Sequence, residues 1–342
     1  MPDLHRITSV TGVKAIVQDR YGGPEALALR DVDEPVPGPG EVLVEVRATS
    51  LNAADWHIMR GDPYVVRVMD RGIFGWRGPK RGIRGRDLAG VVVALGSGVT
   101  EFAVGDEVVG EVLKEGAFAE LVAARADVLA PKPAGVSFEQ AAALPLAGTT
   151  ALTGLRDGGL AAGQRLLVNG ASGGVGTYAV QIGAAVGAEV TAVCRGRNAD
   201  QARSLGADHV VDYTTTDFAA SGERYDVVLD LVGNRSLGDL RRVLTADGVL
   251  LLSGGGTSEG GSLLGPIRLF AKAGLVGRFV RPQRLVAFRA EPSAAAVAEL
   301  LEMVGARTLR PVIDRTFPLA DLPEAVRYLE EDHARAKVVI TV

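Results

Sequence analysis

Apolar and polar residues alternate with a period of two along Glu41 to Ala48 (EVLVEVRA), the signature of a strand with one buried face. Val13 to Val17 is a short apolar run, and Val91 to Leu95, Glu107 to Val112 and Phe118 to Ala123 continue the strand pattern. Gly-Pro clusters separate these runs, above all Pro35 to Gly40 (PVPGPG), which neither a helix nor a central strand tolerates. The spacing predicts an antiparallel, barrel-like β domain over residues 1–133.

The rhythm changes after Pro133. Phe138 to Thr153 is alanine-rich and helical in composition, and Gln164 to Asn169 is a short apolar strand followed by glycines and a helix over Val175 to Gly187. Strands at Glu189 to Cys194, Tyr225 to Leu231 and Gly248 to Leu252 alternate with helical stretches, one of them near Ala199 to Leu205. Such alternation implies βαβ units around a parallel sheet. From Ser293 the pattern gives a helix to Val304, a strand over Pro311 to Phe317, a helix over Leu322 to Leu329 and a last strand over Lys337 to Val342. The expected fold class is α/β, a β-barrel domain plus a doubly wound parallel sheet, with boundaries at 1–133, 134–289 and 290–342.

The chain has 342 residues, 47% apolar and 23% charged, which suits two packed domains that need no disulfide or structural metal to fold. Its single cysteine, Cys194, excludes a disulfide framework and any zinc site built on several thiolates. A formal net charge of −4 argues against a dedicated nucleic-acid binder. Met1 to Gly12 is polar, and the uncharged run 140–155 carries Pro145, Gly148 and Gly154, so neither reads as a signal peptide or a bilayer span. A cytoplasmic protein is expected, with no membrane or nucleic-acid partner. Glycine is the outlier: there are 44, well above the usual ~7%. Turns, or backbone that approaches a ligand closely, must use them.

One such place is RLLVNGASGGVGTYAVQIGAAVGA. A strand ends at Asn169, the chain turns through Gly170, Ala171, Ser172, Gly173 and Gly174, and a helix starts near Val175. Glycines there let backbone N–H groups reach a pyrophosphate, and the helix N-terminus adds partial positive charge and unpaired donors. Gly176 allows close packing of helix on strand. Read as A-x-G-x-x-G, the loop has Ala171 at the first glycine position of the dinucleotide fingerprint.

About 20 residues further on, an acidic side chain normally binds the adenosine ribose of NAD. No Asp or Glu stands between Glu189 and Asp200; Arg195 and Arg197 do. Paired guanidiniums match a 2′-phosphate, so NADP(H) is expected over NAD(H). The plainer alternative is solvated surface arginine.

The sequence resembles the medium-chain dehydrogenase/reductase superfamily in its zinc-free quinone oxidoreductase-like branch. The resemblance rests on GPEALALRDVDEPVPGPGEVLVEVRATSLNAADW, GRDLAGVVVALGSGVTEFAVGDEV, AALPLAGTTAL, GASGGVGTYAVQIG, SLGADHVVDY and PVIDRTFPLADLPEAVRYLEEDHARAKVVITV, nearly the whole chain. It implies a GroES-like catalytic domain, an inserted Rossmann domain and a C-terminal return to the first. It further implies Thr149 near the nicotinamide, and Val232, Gly233 and Ser253 at strand ends bordering the cofactor. Tyr213 would stand by the adenosine phosphate and Lys337 near the pyrophosphate, with Ala336 where the family has glycine.

Zinc-dependent relatives carry metal ligands at positions that correspond here to Asn52 and to Gly85-Arg86-Asp87. Asparagine and arginine cannot replace thiolate and imidazole, so no metal is expected. His5, His57, His209 and His333 are scattered and read as surface residues rather than ligands. Without a Lewis acid, a conjugated acceptor such as a quinone or enone is favoured, because it spreads the charge that hydride addition creates. Tyr64 stands where some enoyl reductases of the superfamily carry a tyrosine acid, and equally suits an amphipathic wall of the cleft. Asn52 would bond the nicotinamide ribose or the substrate oxygen. Asp55 would orient Asn52 or a water, or act as a helix cap.

Two basic stretches remain. One holds Arg67, Arg71, Arg77, Lys80, Arg81, Arg84 and Arg86 with Phe74 and Trp76 among them; the other holds Arg268, Lys272, Arg278, Arg281, Arg284 and Arg289. They read as a loop rimming the substrate cleft and as cover for the cofactor or a dimer edge, rather than a track for nucleic acid. Trp56, Tyr64, Phe74 and Trp76 point to a small apolar or aromatic substrate. A homodimer through an edge strand near Arg278 to Phe288 is expected. The function expected is NADPH-dependent reduction of a quinone or other activated double bond. The alternatives are NADP-dependent ketone–alcohol interconversion and a non-catalytic NADPH-binding sensor or scaffold.

Overall fold

The structure, a computed structural model, describes residues 12–62, 64–65, 67, 74–76, 78–80, 82–112, 116–254, 267–277, 279–280, 282–331 and 334–342. His5, Arg71, Arg77, Arg81, Arg278, Arg281 and His333 lie outside the described residues.

Strands β1 (Val13–Gln18) and β2 (Leu27–Val32) form an antiparallel hairpin. β3 (Glu41–Leu51) is the long central strand of the next sheet, with β4 (Asp87–Leu95), β5 (Glu107–Glu111), β6 (Leu121–Arg125) and β7 (Leu129–Pro131). Its alternation places Val42, Val44 and Val46 in a core with Leu88, Val92 and Val108. Register shifts between Leu43 and Val44 and between Val46 and Ala48 bend β3 against β4. Such bulges sharpen the twist that lets a small sheet curl on itself, and β3 takes β4 on one edge and β6 along its first half.

The helical stretch expected from Phe138 to Thr153 is two helices, α2 (Phe138–Ala142) and α3 (Pro145–Gly158), with α1 (Ala53–Arg60) preceding them in the chain. Pro145 explains the break: it donates no hydrogen bond and is favoured at a helix's first position, where none is needed.

β8 (Arg165–Asn169), β9 (Glu189–Cys194), β10 (His209–Asp212), β11 (Tyr225–Asp230), β12 (Leu244–Leu252) and β13 (Arg284–Ala287) form one parallel sheet in the order β10-β9-β8-β11-β12-β13. This is the doubly wound order of Rossmann domains, with its switch point between β8 and β11. α4 (Gly174–Val186) follows β8 directly. α5 (Ala199–Ser204), α6 (Leu237–Arg242), α7 (Ile267–Val276) and α8 (Ala294–Gly305) complete this part. β10 and β13 were not evident from the sequence, being only four residues each.

After α8 the chain returns to the first sheet. β14 (Ile313–Pro318), α9 (Leu322–Glu331) and β15 (Lys337–Thr341) follow, and β15 lies antiparallel against β3. Just before β15, Ala336 N donates to Ser172 O at 2.8 Å, so the returning chain is stitched to the glycine loop of the other sheet.

Candidate active site

The glycine loop sits at the switch point. Gly170 turns with φ +91°, so Gly170 rather than Ala171 takes the left-handed conformation; Ala171 is buried. Both N–H groups donate to Val193 O, at 3.2 and 3.1 Å, which ties the loop to β9. A Cβ on Gly176 would lie 2.2 Å from Gly170 O and 2.7 Å from Ala171 Cα, so only glycine fits where α4 crosses β8. No side chain caps α4 at Gly173. The N–H groups of Gly174 and Val175, in its first turn, have no intrahelical acceptors and suit a phosphate, while Gly173 N donates to Gly170 O at 3.1 Å.

The neighbouring loop is built on Asp230, at the end of β11. Its Oδ1 accepts from Asn169 Nδ2 at 2.8 Å and from Val232 N and Gly233 N, each at 3.1 Å, and Ser253 N donates to Asp230 O at 3.2 Å. Val232, Gly233 and Ser253 are thereby gathered at the mouth of β8, β11 and β12. Sequence reasoning missed Asp230; the signal available was an acid closing an otherwise apolar strand (YDVVLD).

At the adenosine end, Arg195 Nε donates to Tyr213 Oη at 2.9 Å. These residues close β9 and β10. Arg197 is exposed beside them. An acid does stand nearby, from β10 rather than β9: a Cβ on Gly196 would lie 2.4 Å from Asp212 Oδ2. Asp212 is occupied, accepting from Thr214 N and Oγ1 at 3.0 and 2.7 Å. Those hydrogen bonds, the Gly196 N–H and the Arg195 charge hold its carboxyl below the usual range.

The third group joins the two domains. Lys337 Nζ donates to Asn52 Oδ1 at 2.6 Å, to Leu51 O at 3.0 Å and to Asp87 Oδ2 at 3.2 Å. Asp87 also accepts from Ser50 Oγ at 2.6 Å, Asn52 Nδ2 at 2.9 Å and, from α3, Leu146 N at 2.9 Å. Asn52, Asp87 and Lys337 are all buried, as is Thr149 one turn further along α3. The lysine stem passes the glycine loop: a Cβ on Gly174 would lie 3.1 Å from Lys337 Cδ.

Residues 38–134 match the alcohol dehydrogenase GroES-like domain family, and residues 205–340 match the zinc-binding dehydrogenase family. A chloroplast envelope quinone oxidoreductase homolog of Arabidopsis thaliana is 34% identical over 95% of this chain and 97% of its own. A mitochondrial NAD(P)H oxidoreductase of Mus musculus is 34% identical over 97% of this chain and 90% of its own. The quinone oxidoreductase of Coxiella burnetii superposes with a TM-score of 0.84 at 28% identity, over 97% of this chain and 100% of that one. The chain belongs to the medium-chain dehydrogenase/reductase superfamily, in its quinone oxidoreductase-like branch. It is an NAD(P)H oxidoreductase, an α/β protein with GroES-like and Rossmann-like parts.

Several expectations for this oxidoreductase need correction. The Lys337 ammonium ends at the Asn52–Asp87 pair, and only its stem borders the glycine loop. Asp55 is buried and forms a capping box, its Oδ2 accepting from Asn52 N at 2.8 Å; this is the capping alternative, and it holds Asn52 in place. Tyr64 is 44% exposed and lies under the Arg67 guanidinium, 4.6 Å from ring centre to Arg67 Cζ. It makes no described contact with the buried cluster. Arg84 and Arg86 do not rim a cleft: both are buried, Arg84 bonded to Gln18 and Arg86 paired with Glu111. His57 is half-buried, and that burial lowers its pKa.

The zinc implied by the second family's description does not fit this donor set. Asn52 Oδ1 and Asp87 Oδ2 already hold an ammonium, and Arg86 brings a second cation where a ligand would stand. A nicotinamide dinucleotide does fit, because the glycine loop opens onto the uncapped N-terminus of α4, where first-turn N–H groups have no intrahelical acceptors.

Proposed function

We propose that the protein reduces a quinone or another conjugated enone with NADPH, without zinc. The observation that carries this reading is the Lys337 ammonium seated between Asn52 and Asp87, at the positions where zinc-dependent relatives hold their metal. One relative is named as an NADPH-dependent alkenal/one oxidoreductase, from Arabidopsis thaliana, 31% identical over 96% of this chain.

The glycine loop would receive the pyrophosphate, and Arg195, Arg197 and Tyr213 the 2′-phosphate. Val232, Gly233 and Ser253 would border the nicotinamide side, with Thr149 and Asn52 beneath it. When bound, the cofactor supplies a hydride. Asn52 is held rigidly for that work: its Oδ1 is committed to Lys337, its Nδ2 to Asp87, and its backbone N–H to Asp55. Hydride addition to the β-carbon of an enone moves an electron pair onto the oxygen, where the conjugated system spreads it. Protonation from water or the Tyr64 phenol completes the reduction. The edge strand β13 would pair with its counterpart in a homodimer.

The test is loss of NADPH absorbance with a panel of quinones, 2-enals and 2-enones, beside secondary alcohols with NADP+. Turnover confined to conjugated acceptors supports the reading. Turnover confined to alcohols would assign ketone–alcohol chemistry, and tight NADPH binding with no acceptor a sensor or scaffold.

A further inference from the structure

Glu111 is a buried titratable group with no part in the proposed reaction. It is the register partner of Asp87 across β4 and β5, so the two side chains stand on the same face of the sheet. Its side chain is 5% exposed and that of Arg86 is 7%, with Arg86 Nη2 2.5 Å from Glu111 Oε1. Arg86 Nε makes no hydrogen bond, so this buried pair is incompletely satisfied. The other charges near Glu111 are Arg289 and Glu291, from the segment between β13 and α8, and Lys337 stands behind Asp87.

We propose that Glu111 is a positioning residue of the cofactor cleft, whose proton sets the net charge of the buried Arg86–Asp87–Lys337 group. The assignment rests on the NADPH reading above. With Glu111 protonated, Arg86 and Lys337 face Asp87 alone, and the group carries one positive charge in excess. With Glu111 ionised the charges balance. An anionic cofactor, and negative charge developing on a substrate oxygen, are both favoured by the protonated form. Burial, the largest influence, pushes the Glu111 carboxyl up to about 7 against the pull of Arg86; Asp87 and Glu291 add to the rise and Arg289 opposes it. The switch therefore falls near neutrality.

The test is calorimetric titration of wild-type protein and E111Q with NADPH between about pH 5.5 and about pH 8.5. Wild-type affinity should fall about threefold to tenfold more than that of E111Q across this range, because the amide keeps the neutral state. Ionisation of the cofactor's own phosphate is common to both proteins and cancels in the ratio. Melting without ligand gives a second reading. The folded-state pKa of Glu111 lies above its ordinary 4.5, so the stability it contributes is present below that value and lost as pH rises through about 7. The wild-type melting temperature should accordingly fall relative to E111Q over that window. NADPH binding with a flat affinity ratio overturns the proposal and leaves the functional reading standing; no NADPH binding at any pH overturns both. A melting difference that does not change with pH removes the proton from Glu111 and the proposal with it.

Discussion

Lys337 Nζ lies 3.2 Å from Asp87 Oδ2, with side-chain exposures of 2% and 0%. A charge pair this deep is held by full satisfaction rather than by attraction alone, since desolvation of both ions offsets most of the Coulomb gain. Here each partner has further hydrogen bonds: Lys337 to Asn52 and Leu51, Asp87 to Ser50, Asn52 and Leu146. The pair joins β15, β4 and the first turn of α3, beside the loop that opens α4. It fixes the returning strand beside the glycine loop.

Removing one partner should therefore be costly. Lys337→Met leaves Asp87 buried with three neutral donors and no hydrogen-bonded cation, so destabilisation of about 3 kcal/mol is expected, the low end for a broken buried pair. Urea denaturation measures it. A change under about 1 kcal/mol would place the pair among weak surface-like contacts.

Ala336 is expected to be a strained residue. Its φ is +80°, a conformation that costs an L-residue about 1–2 kcal/mol. That conformation aims Ala336 N at Ser172 O, which gives a physical reason for glycine in relatives. Ala336→Gly should stabilise the protein by about 0.5–1 kcal/mol, after the extra freedom of unfolded glycine is subtracted. Thermal melting at fixed pH reads the sign directly.

Gly176→Ala should have the opposite effect. The new Cβ would press on Gly170 O at 2.2 Å, and moving the loop to relieve it should cost about 1–3 kcal/mol. Because the same loop would seat the pyrophosphate, NADPH affinity should fall in the folded fraction as well. Calorimetry below the variant's melting temperature separates the two losses.

Arg195→Ala should weaken NADPH about 10- to 100-fold while leaving NADH nearly unchanged, the loss of charge-assisted bonds to one phosphate. Tyr213→Phe should have a smaller effect of the same kind, since Tyr213 orients Arg195 through a single 2.9 Å hydrogen bond. Titration of each variant with both cofactors checks the selectivity.

The parts of the molecule legible in the sequence are those written in local pattern. The period-two run EVLVEVRA became β3, and the strand–glycine–helix order after Arg165 became β8 and α4. What escaped was chemistry assembled across long separations. Lys337 reaches Asn52 over 285 residues, and no spacing rule announces such a contact. Glu111 looked like an ordinary polar position in an alternating strand, and only its register with Asp87 gives it a charged neighbourhood. The sequence groups Arg84 and Arg86 with a loop rimming the cleft because local composition carries no information about burial. Asp55 was ambiguous for a related reason: the same carboxylate three residues after Asn52 serves catalysis or a helix cap, and only the hydrogen bond to Asn52 N distinguishes them.

The most direct measurement is equilibrium binding of NADPH and NADH to the purified full chain, followed by calorimetry or quenching of intrinsic fluorescence. Saturable binding, with NADPH at least about tenfold tighter than NADH, is the expected result. Equal affinity or a preference for NADH would contradict the role given to Arg195 and Tyr213, and no binding of either would contradict the whole assignment.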